Sequence, residues 1–394
     1  MPGKDKVLPH SSTMAPPGTW LRLLWENGGA PPAYWGKVAR ILIPTTLAAP
    51  LRIFERLRWG GAVARVEIDK PPVFVLGVAR SGTTHLLNLM SQDPQYAWIS
   101  TFHAAVPTFF LTGRGRLKRL MAGLAPATRP MDNMKVSMDM PVEEDLAVAN
   151  SSPFSSLHAL SFPQRGEWYF NRYCFMRGLS ARELKQWERV YMEVLRKATL
   201  DAGGRRLVLK SPANTGRIPH LLRLFPDARF IHIVRNPYVV YESLVHMFRS
   251  VIPMHQLHSI TERALDDLAL FLLRETLQQY LKDRASIPKG QLAELRFEDL
   301  ERNPLSELEA VYATLDLPGW EAARVGIESY LDGLAGYQKN RYAIDPRTIE
   351  RVQRECRFAL DTWEYLPPDR PSAAVSGTST GAVAASRRRS CGPA

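Results

Sequence analysis

The chain has 394 residues, enough for one large or two small domains, and its 45% apolar and 23% charged content is ordinary for a soluble globular protein. Lysine and arginine number 51 against 39 acidic residues, and this excess of 51 − 39 = 12 favours acidic ligands or anionic surfaces. Three distant cysteines (Cys174, Cys356, Cys391) argue against a disulfide framework and fit a reducing cytoplasm, and no zinc spacing, groove helix or aromatic RNA motif points to nucleic acid.

Residues 1–70 read as a helical and irregular lead-in. Met1 to Thr19 is polar and carries no apolar signal region. The apolar run Ile41 to Leu51 is broken by Pro44 and Pro50 and is about half the roughly 20 residues a membrane span requires. Trp20, Trp25, Trp35 and Trp59 alternate around it with Lys37, Arg40, Arg52, Arg56 and Arg58. Two readings stay open: a helix lying in a membrane interface, giving peripheral contact at the inner face, or an ordinary helical layer packed on the core.

The main folded domain is expected over 71–366. Strands are predicted at 73–78, near 97–100, and at 206–210, 229–234 and 291–297, with helices at 82–92, 214–224, 237–249 and 259–285. Strands alternating with helices predict an α/β fold: a central parallel sheet with helices on both faces. After Pro367 and Pro368 the tail 367–394 is too poor in apolar residues to fold, and its Arg387–Arg389 cluster has no expected chemical role.

The apolar strand at 73 runs into Gly77, Arg80, Ser81, Gly82, Thr83 and Thr84. A strand, a glycine turn and a helix present backbone N–H groups to a phosphate. The spacing matches a nucleoside-triphosphate loop, except that Thr83 stands where the phosphate-binding lysine belongs. A second anion site follows. Arg235 ends the predicted strand 229–234, where ligands of open α/β sheets bind, Asn236 and Pro237 begin a helix, and Ser243 lies two turns along it. An arginine and a hydroxyl at this spacing suit a phosphomonoester. Lys210 ends the preceding strand and is the further cation placed to meet charge that develops during transfer.

These two motifs resemble the 5′-phosphosulfate loop and the 3′-phosphate motif of the sulfotransferases. Residues 129–134, 141–145, 210–217, 296–300 and 337–342 resemble one branch of the bacterial family, which includes enzymes acting on lipid-like acceptors such as a hydroxylated menaquinone. The resemblance implies 3′-phosphoadenosine 5′-phosphosulfate as co-substrate, a P-loop-like fold, no metal, and a nucleotide contact from Lys339 or Arg341. It leaves the general base open. Many cytosolic members carry a histidine two residues after the lysine equivalent to Lys210, and here that position is Pro212. The candidates are Glu143, then Glu144, then His103, with Asp145 in the same acidic cluster; acidic residues after Pro141 also suit a helix N-terminus. Trp98, Phe102, Phe109, Phe110, Trp168, Tyr169 and Phe170 are expected either to line an apolar acceptor pocket or to form core. A P-loop nucleotide kinase is the alternative enzyme, opposed by Thr83 and by the lack of an acidic Mg²⁺ ligand at a strand end. A non-enzymatic membrane-surface protein on a nucleotide-binding scaffold is the third reading. The acceptor's identity and the oligomeric state are not readable from the sequence.

Overall fold

Every side chain of β1 (Val73–Leu76) is buried, so this strand has no face for water and lies at the centre of a sheet. The structure, a computed structural model, describes residues 14–124, 137–334 and 344–368. With β2 (Tyr96–Ala97), β3 (Arg206–Lys210), β4 (Arg229–Val234) and β5 (Leu292–Arg296) it forms a five-stranded sheet, all parallel, in the order β2-β3-β1-β4-β5. Alternation along β1 sends Val73 and Val75 into one core with Leu86, Val208 and Ile231, and Phe74 and Leu76 into the other with Leu207, Leu209 and Phe230.

The lead-in folds as α1 (Pro17–Glu26), α2 (Trp35–Leu47) and α3 (Ala49–Ala64). From β1 to β3 the chain forms α4 (Thr83–Met90), α5 (Thr101–Ala105), α6 (Phe110–Gly113), α7 (Arg116–Leu124), α8 (Glu144–Ala149), α9 (Gly166–Tyr173) and α10 (Ala181–Asp201). Then α11 (Ile218–Leu224) joins β3 to β4, and α12 (Pro237–His255) and α13 (Glu262–Asp283) join β4 to β5. The last four are α14 (Phe297–Arg302), α15 (Pro304–Thr314), α16 (Trp320–Asp332) and α17 (Pro346–Thr362).

The predicted α/β architecture is the observed one, and the departures are local. β1 ends at Leu76 because Gly77 turns the chain out at φ 147°. The predicted strand near 97–100 shrinks to Tyr96–Ala97, since Ser100 is committed as N-cap of α5, its hydroxyl accepting from the His103 N–H. The predicted helix 214–224 opens as a 3-10 turn over Pro212–Gly216, and the α-helix itself starts at Ile218. In that turn the Thr215 side chain bonds away from its own helix, and Gly216 lies so close to Cys174 that a Cβ would sit 2.5 Å from the Cys174 carbonyl oxygen. α12 runs to His255, past the expected 249, with Pro253 in its last turn. The segment 129–134, Lys339, Arg341 and the tail from 369 lie outside the described residues.

Candidate active site

The carboxyl ends of four neighbouring strands meet at one place. Val75 of β1 is in register with Lys210 of β3, and Val234 of β4 with Arg296 of β5, so Gly77, Lys210, Arg235 and Phe297 emerge along one edge of the sheet. The turn after β1 needs backbone that few residues adopt: Arg80 has φ 74° and Gly82 φ 99°. Gly82 has a second reason to lack a side chain, because a Cβ there would sit 2.2 Å from Phe297 Cδ2. Thr215 holds the start of the turn. Its Oγ1 accepts from the Gly77 N–H at 2.8 Å and donates to the Gly77 carbonyl at 3.1 Å. Beyond the turn, Thr83 is buried and Thr84 half-buried in the first turn of α4, whose N-terminus favours an anion. The Ser81 hydroxyl is buried and has no protein partner, so a polar group of a ligand is the natural complement.

The two anion motifs form one continuous site. Arg80 Nε donates to Ser243 Oγ at 3.0 Å, and Arg235 Nη1 donates to the Arg80 carbonyl at 3.2 Å. The Arg235 guanidinium lies over the Phe297 ring, 4.3 Å from its centroid, which orients it without taking it from an anion. Ser243 is buried on α12, and that helix starts as the sequence predicts: Asn236 Oδ1 accepts from the Tyr238 N–H at 3.0 Å and Pro237 is the first helical residue. The 5′ loop and the Arg235–Ser243 pair are therefore close enough for one nucleotide to touch both.

Glu143 faces Lys210 across a 2.7 Å ion pair. The approach is built by the chain after β2. The Val142 N–H donates to the Ile99 carbonyl at 2.8 Å and Ser100 bridges to Pro141, so residues 140–142 lie along the extension of the edge strand and deliver Glu143 to the end of β3. Lys210 is 3% exposed on its side chain and Glu143 26%, so the carboxylate is the member of the pair that reaches solvent.

The other acids of the cluster point elsewhere. Glu144 is wholly buried, and its Oε1 accepts from Tyr191 Oη at 3.2 Å and from Asn214 Nδ2, while Oε2 has no partner. Burial pushes its carboxyl up to about 7, against the opposing pull of the Asn214 hydrogen bond. Asp145 is buried against Arg217 at 2.9 Å and accepts the Ser155 and Ser156 hydroxyls at 3.2 and 3.0 Å. Glu144 and Asp145 also occupy the first turn of α8, where acidic residues complement the helix dipole. His103 sits in α5 with both ring nitrogens engaged. Nδ1 accepts from the Ser100 N–H at 3.4 Å in a capping box, which leaves the proton on Nε2 to donate to Asp201 Oδ2 at 3.1 Å. Its ring stacks on Phe110 at 4.2 Å between centroids.

The aromatic residues that the sequence allowed as a pocket do not gather in one. Phe102, Phe109 and Phe110 are buried in a small core with Ala48 and Val63 of the lead-in, whereas Tyr169 and Phe170 belong to the large core that also takes Phe74 and Leu76 of β1. Trp168 lies between the Arg165 and Arg172 guanidinium groups at 4.2 and 4.9 Å. Phe102, Phe109, Phe110, Tyr169 and Phe170 therefore pack as core, while Trp98 and Trp168 are half-buried. Sequence reasoning singled out neither Thr215, Asn214, Tyr191 nor Phe297. The family-like segments 210–217 and 296–300 contain Asn214, Thr215 and Phe297 without assigning them a role, and nothing local marks Tyr191. Among the described residues no three His, Cys, Asp or Glu side chains gather as a metal site requires.

Comparison with known proteins agrees with this geometry. A model described as the sulfotransferase family matches residues 71–322, well over half the chain. The sequence is 29% identical over 347 residues to omega-hydroxy-beta-dihydromenaquinone-9 sulfotransferase Stf3 of Mycobacterium bovis, spanning 88% of this chain and 89% of that protein, and the same values hold for Stf3 of Mycobacterium tuberculosis. Among solved structures, sulfotransferase STF1 of Mycobacterium tuberculosis superposes with a TM-score of 0.62 at 17% identity, covering 89% of this chain and 93% of that one. Sulfotransferase STF9 of Mycobacterium avium gives a TM-score of 0.59 at 18% identity over 80% and 82% of the two chains. At those identities the structures speak for the fold, and the family model and the long alignment speak for the chemistry. The chain belongs to the sulfotransferase family and is an enzyme of sulfuryl transfer.

Proposed function

We propose that the protein moves the sulfuryl group of 3′-phosphoadenosine 5′-phosphosulfate to a hydroxyl of an apolar, lipid-like acceptor, in the cytoplasm and at the inner face of the membrane. The observation that carries this reading is the Lys210–Glu143 pair at the mouth of the Gly77–Thr84 loop, with the Arg80–Ser243–Arg235 chain beside it. The likeness to Stf3, whose name gives a hydroxylated menaquinone derivative as its substrate, supports the acceptor class.

The donor supplies an activated sulfuryl group, and the residues do the rest. The acceptor oxygen forms its bond to sulfur as the bond from sulfur to the bridging phosphate oxygen breaks, and negative charge grows on the departing phosphate. Backbone N–H groups of Gly82, Thr83 and Thr84, the Arg80 guanidinium and the Lys210 ammonium meet that charge. Arg235 and Ser243 hold the 3′-phosphate, away from the bonds that change. Glu143 takes the acceptor proton: it is the acid beside Lys210 and it is part exposed, whereas Glu144 and Asp145 are wholly buried and His103 is bound to Asp201. Lys339 and Arg341 are proposed as further nucleotide contacts on resemblance alone. Residues 71–366 are proposed as the catalytic domain, with 1–70 as a lead-in layer and 367–394 as a tail.

The test is direct. Incubation with sulfur-labelled donor and a hydroxylated isoprenoid quinone in mixed micelles should transfer label to the quinone, insensitive to chelator, and should leave the quinone lacking the hydroxyl unlabelled. Label released only to water, or accepted equally by both quinones, would reject the acceptor class.

A further inference from the structure

Two of the three lead-in helices, α2 and α3, bury a polar side chain while exposing large apolar ones. The other, α1, buries Trp20 and Leu23 and leaves Leu21 and Trp25 exposed. α2 buries Thr45 completely while Ile43 and Leu47 stand 60% and 75% exposed. α3 buries Glu55 to 3% while Phe54 and Leu57 stand 55% and 81% exposed. Burying a carboxylate requires partners, and Glu55 has them: Lys197 Nζ at 2.5 Å and the N–H groups of Leu111 and Thr112 at 3.3 and 2.7 Å. Thr45 and Glu55 are thus committed inward, while large apolar side chains share the outer faces with Arg40, Arg56 and Arg58.

These exposed apolar side chains are concentrated in one place. Nine of the twelve large apolar side chains exposed among the described residues fall between Leu21 and Leu57. Singly exposed apolar residues need no explanation, but a patch of this kind marks an interaction surface. Trp25 and Trp35 are 82% and 64% exposed, and tryptophan favours the level where hydrocarbon meets headgroups.

Charge selects the occupant. Between Asn27 and Val66 there are six cations (Lys37, Arg40, Arg52, Arg56, Arg58 and Arg65) and one acid, the buried Glu55. A second copy meeting this face across a two-fold axis would set like charges against like. An anionic lipid surface complements both the cations and the apolar stripe. No described helix is long and apolar enough to cross a membrane, so the contact is one of lying on the surface.

We propose that the outer faces of α1–α3 form a docking surface that seats the enzyme on an anionic phospholipid bilayer. The face is also near the chemistry. α3 packs on α6 and α10, α10 and α5 pack on α8, and the residue that immediately precedes α8 is Glu143. Seated this way, the enzyme meets an acceptor whose hydroxyl is presented from the bilayer. The proposal rests on the lipid-acceptor reading for its purpose, but its test needs no turnover.

Full-length protein is floated with vesicles of phosphatidylcholine mixed with phosphatidylglycerol, and with vesicles of phosphatidylcholine alone. It should rise with the mixed vesicles and much less with the neutral ones. Ile43→Asp, Phe54→Asp and Leu57→Asp together should reduce the vesicle-bound fraction about tenfold or more, since each places a charge in the stripe that meets the lipid. Arg40→Glu with Arg56→Glu, on exposed positions outside the core, should abolish the preference for mixed vesicles. Binding of adenosine 3′,5′-bisphosphate, which reports on the nucleotide site, should be unchanged in the charge-reversed protein. Wild-type protein that stays below either vesicle, or charge-reversed protein that keeps its preference, overturns the docking surface. So does a wild-type dimer by light scattering that dissociates with the apolar substitutions while vesicles bind neither form. If flotation holds but the bisphosphate fails to bind, the donor reading falls and the docking surface stands.

Discussion

Three consecutive acids, Glu143, Glu144 and Asp145, do three different things, and their surroundings decide which. Asp145 is half of a buried ion pair with Arg217, and Asp145→Asn should lower stability by about 3 kcal/mol because the guanidinium is left buried without its counter-charge. Glu143 pairs with Lys210 at the end of β3 and is part exposed. Glu143→Gln should reduce kcat by about a hundredfold or more without weakening bisphosphate binding, read by steady-state kinetics and calorimetry; an unchanged kcat would assign the proton transfer to another group. Glu144 is a stability element with a pH signature. Burial pushes its folded carboxyl from the ordinary 4.5 up to about 7, so between those values the folded state holds a proton that the unfolded state has released. Stability from this group is therefore full below the lower value, falls as pH rises through that window and is lost above the upper one, by up to about 3 kcal/mol. Melting of wild type and Glu144→Gln across that window should show a steeper loss in wild type, and parallel curves would mean that the carboxyl is not held neutral.

At the scale of elements, the strands were legible because buried parallel strands are short apolar runs stopped by polar residues and proline. Arg206–Lys210 and Arg229–Val234 are observed with their expected bounds. The turn at 77–84 was legible for the same kind of reason, since glycine at φ 99° and a helix start leave little choice of conformation. What stayed hidden was contact between segments far apart in the chain. That Phe297 fills the space beside Gly82, and that Thr215 clamps Gly77 from 138 residues away, depends on which strands are neighbours, which no local pattern states. The likeness of Glu143, Glu144 and Asp145 in the sequence has the same origin. Gly82→Ala tests the packing argument: the methyl meets Phe297 and the left-handed backbone is strained, so the bisphosphate should bind about tenfold or more weakly while the sheet core still melts cooperatively. Retained affinity would mean that the loop tolerates a shifted Phe297.

For the whole molecule, a parallel sheet gathers the ends of β1, β3, β4 and β5 on one edge, and the lead-in covers the flank beside α8. The lead-in was the part that periodicity described least well. Amphipathic spacing is the same whether the apolar stripe faces a core or a bilayer, and only the buried Thr45 and Glu55 reveal that it faces outward. The central claim is that one molecule bridges the Gly77–Thr84 loop and the Arg235–Ser243 pair. Titration calorimetry with adenosine 3′,5′-bisphosphate and with 5′-AMP, on wild type and Arg235→Ala, measures it most directly. The account predicts that wild type binds the bisphosphate far more tightly than 5′-AMP, and that Arg235→Ala brings the two affinities close together. Equal affinities in wild type, or a preference that survives in Arg235→Ala, would contradict it.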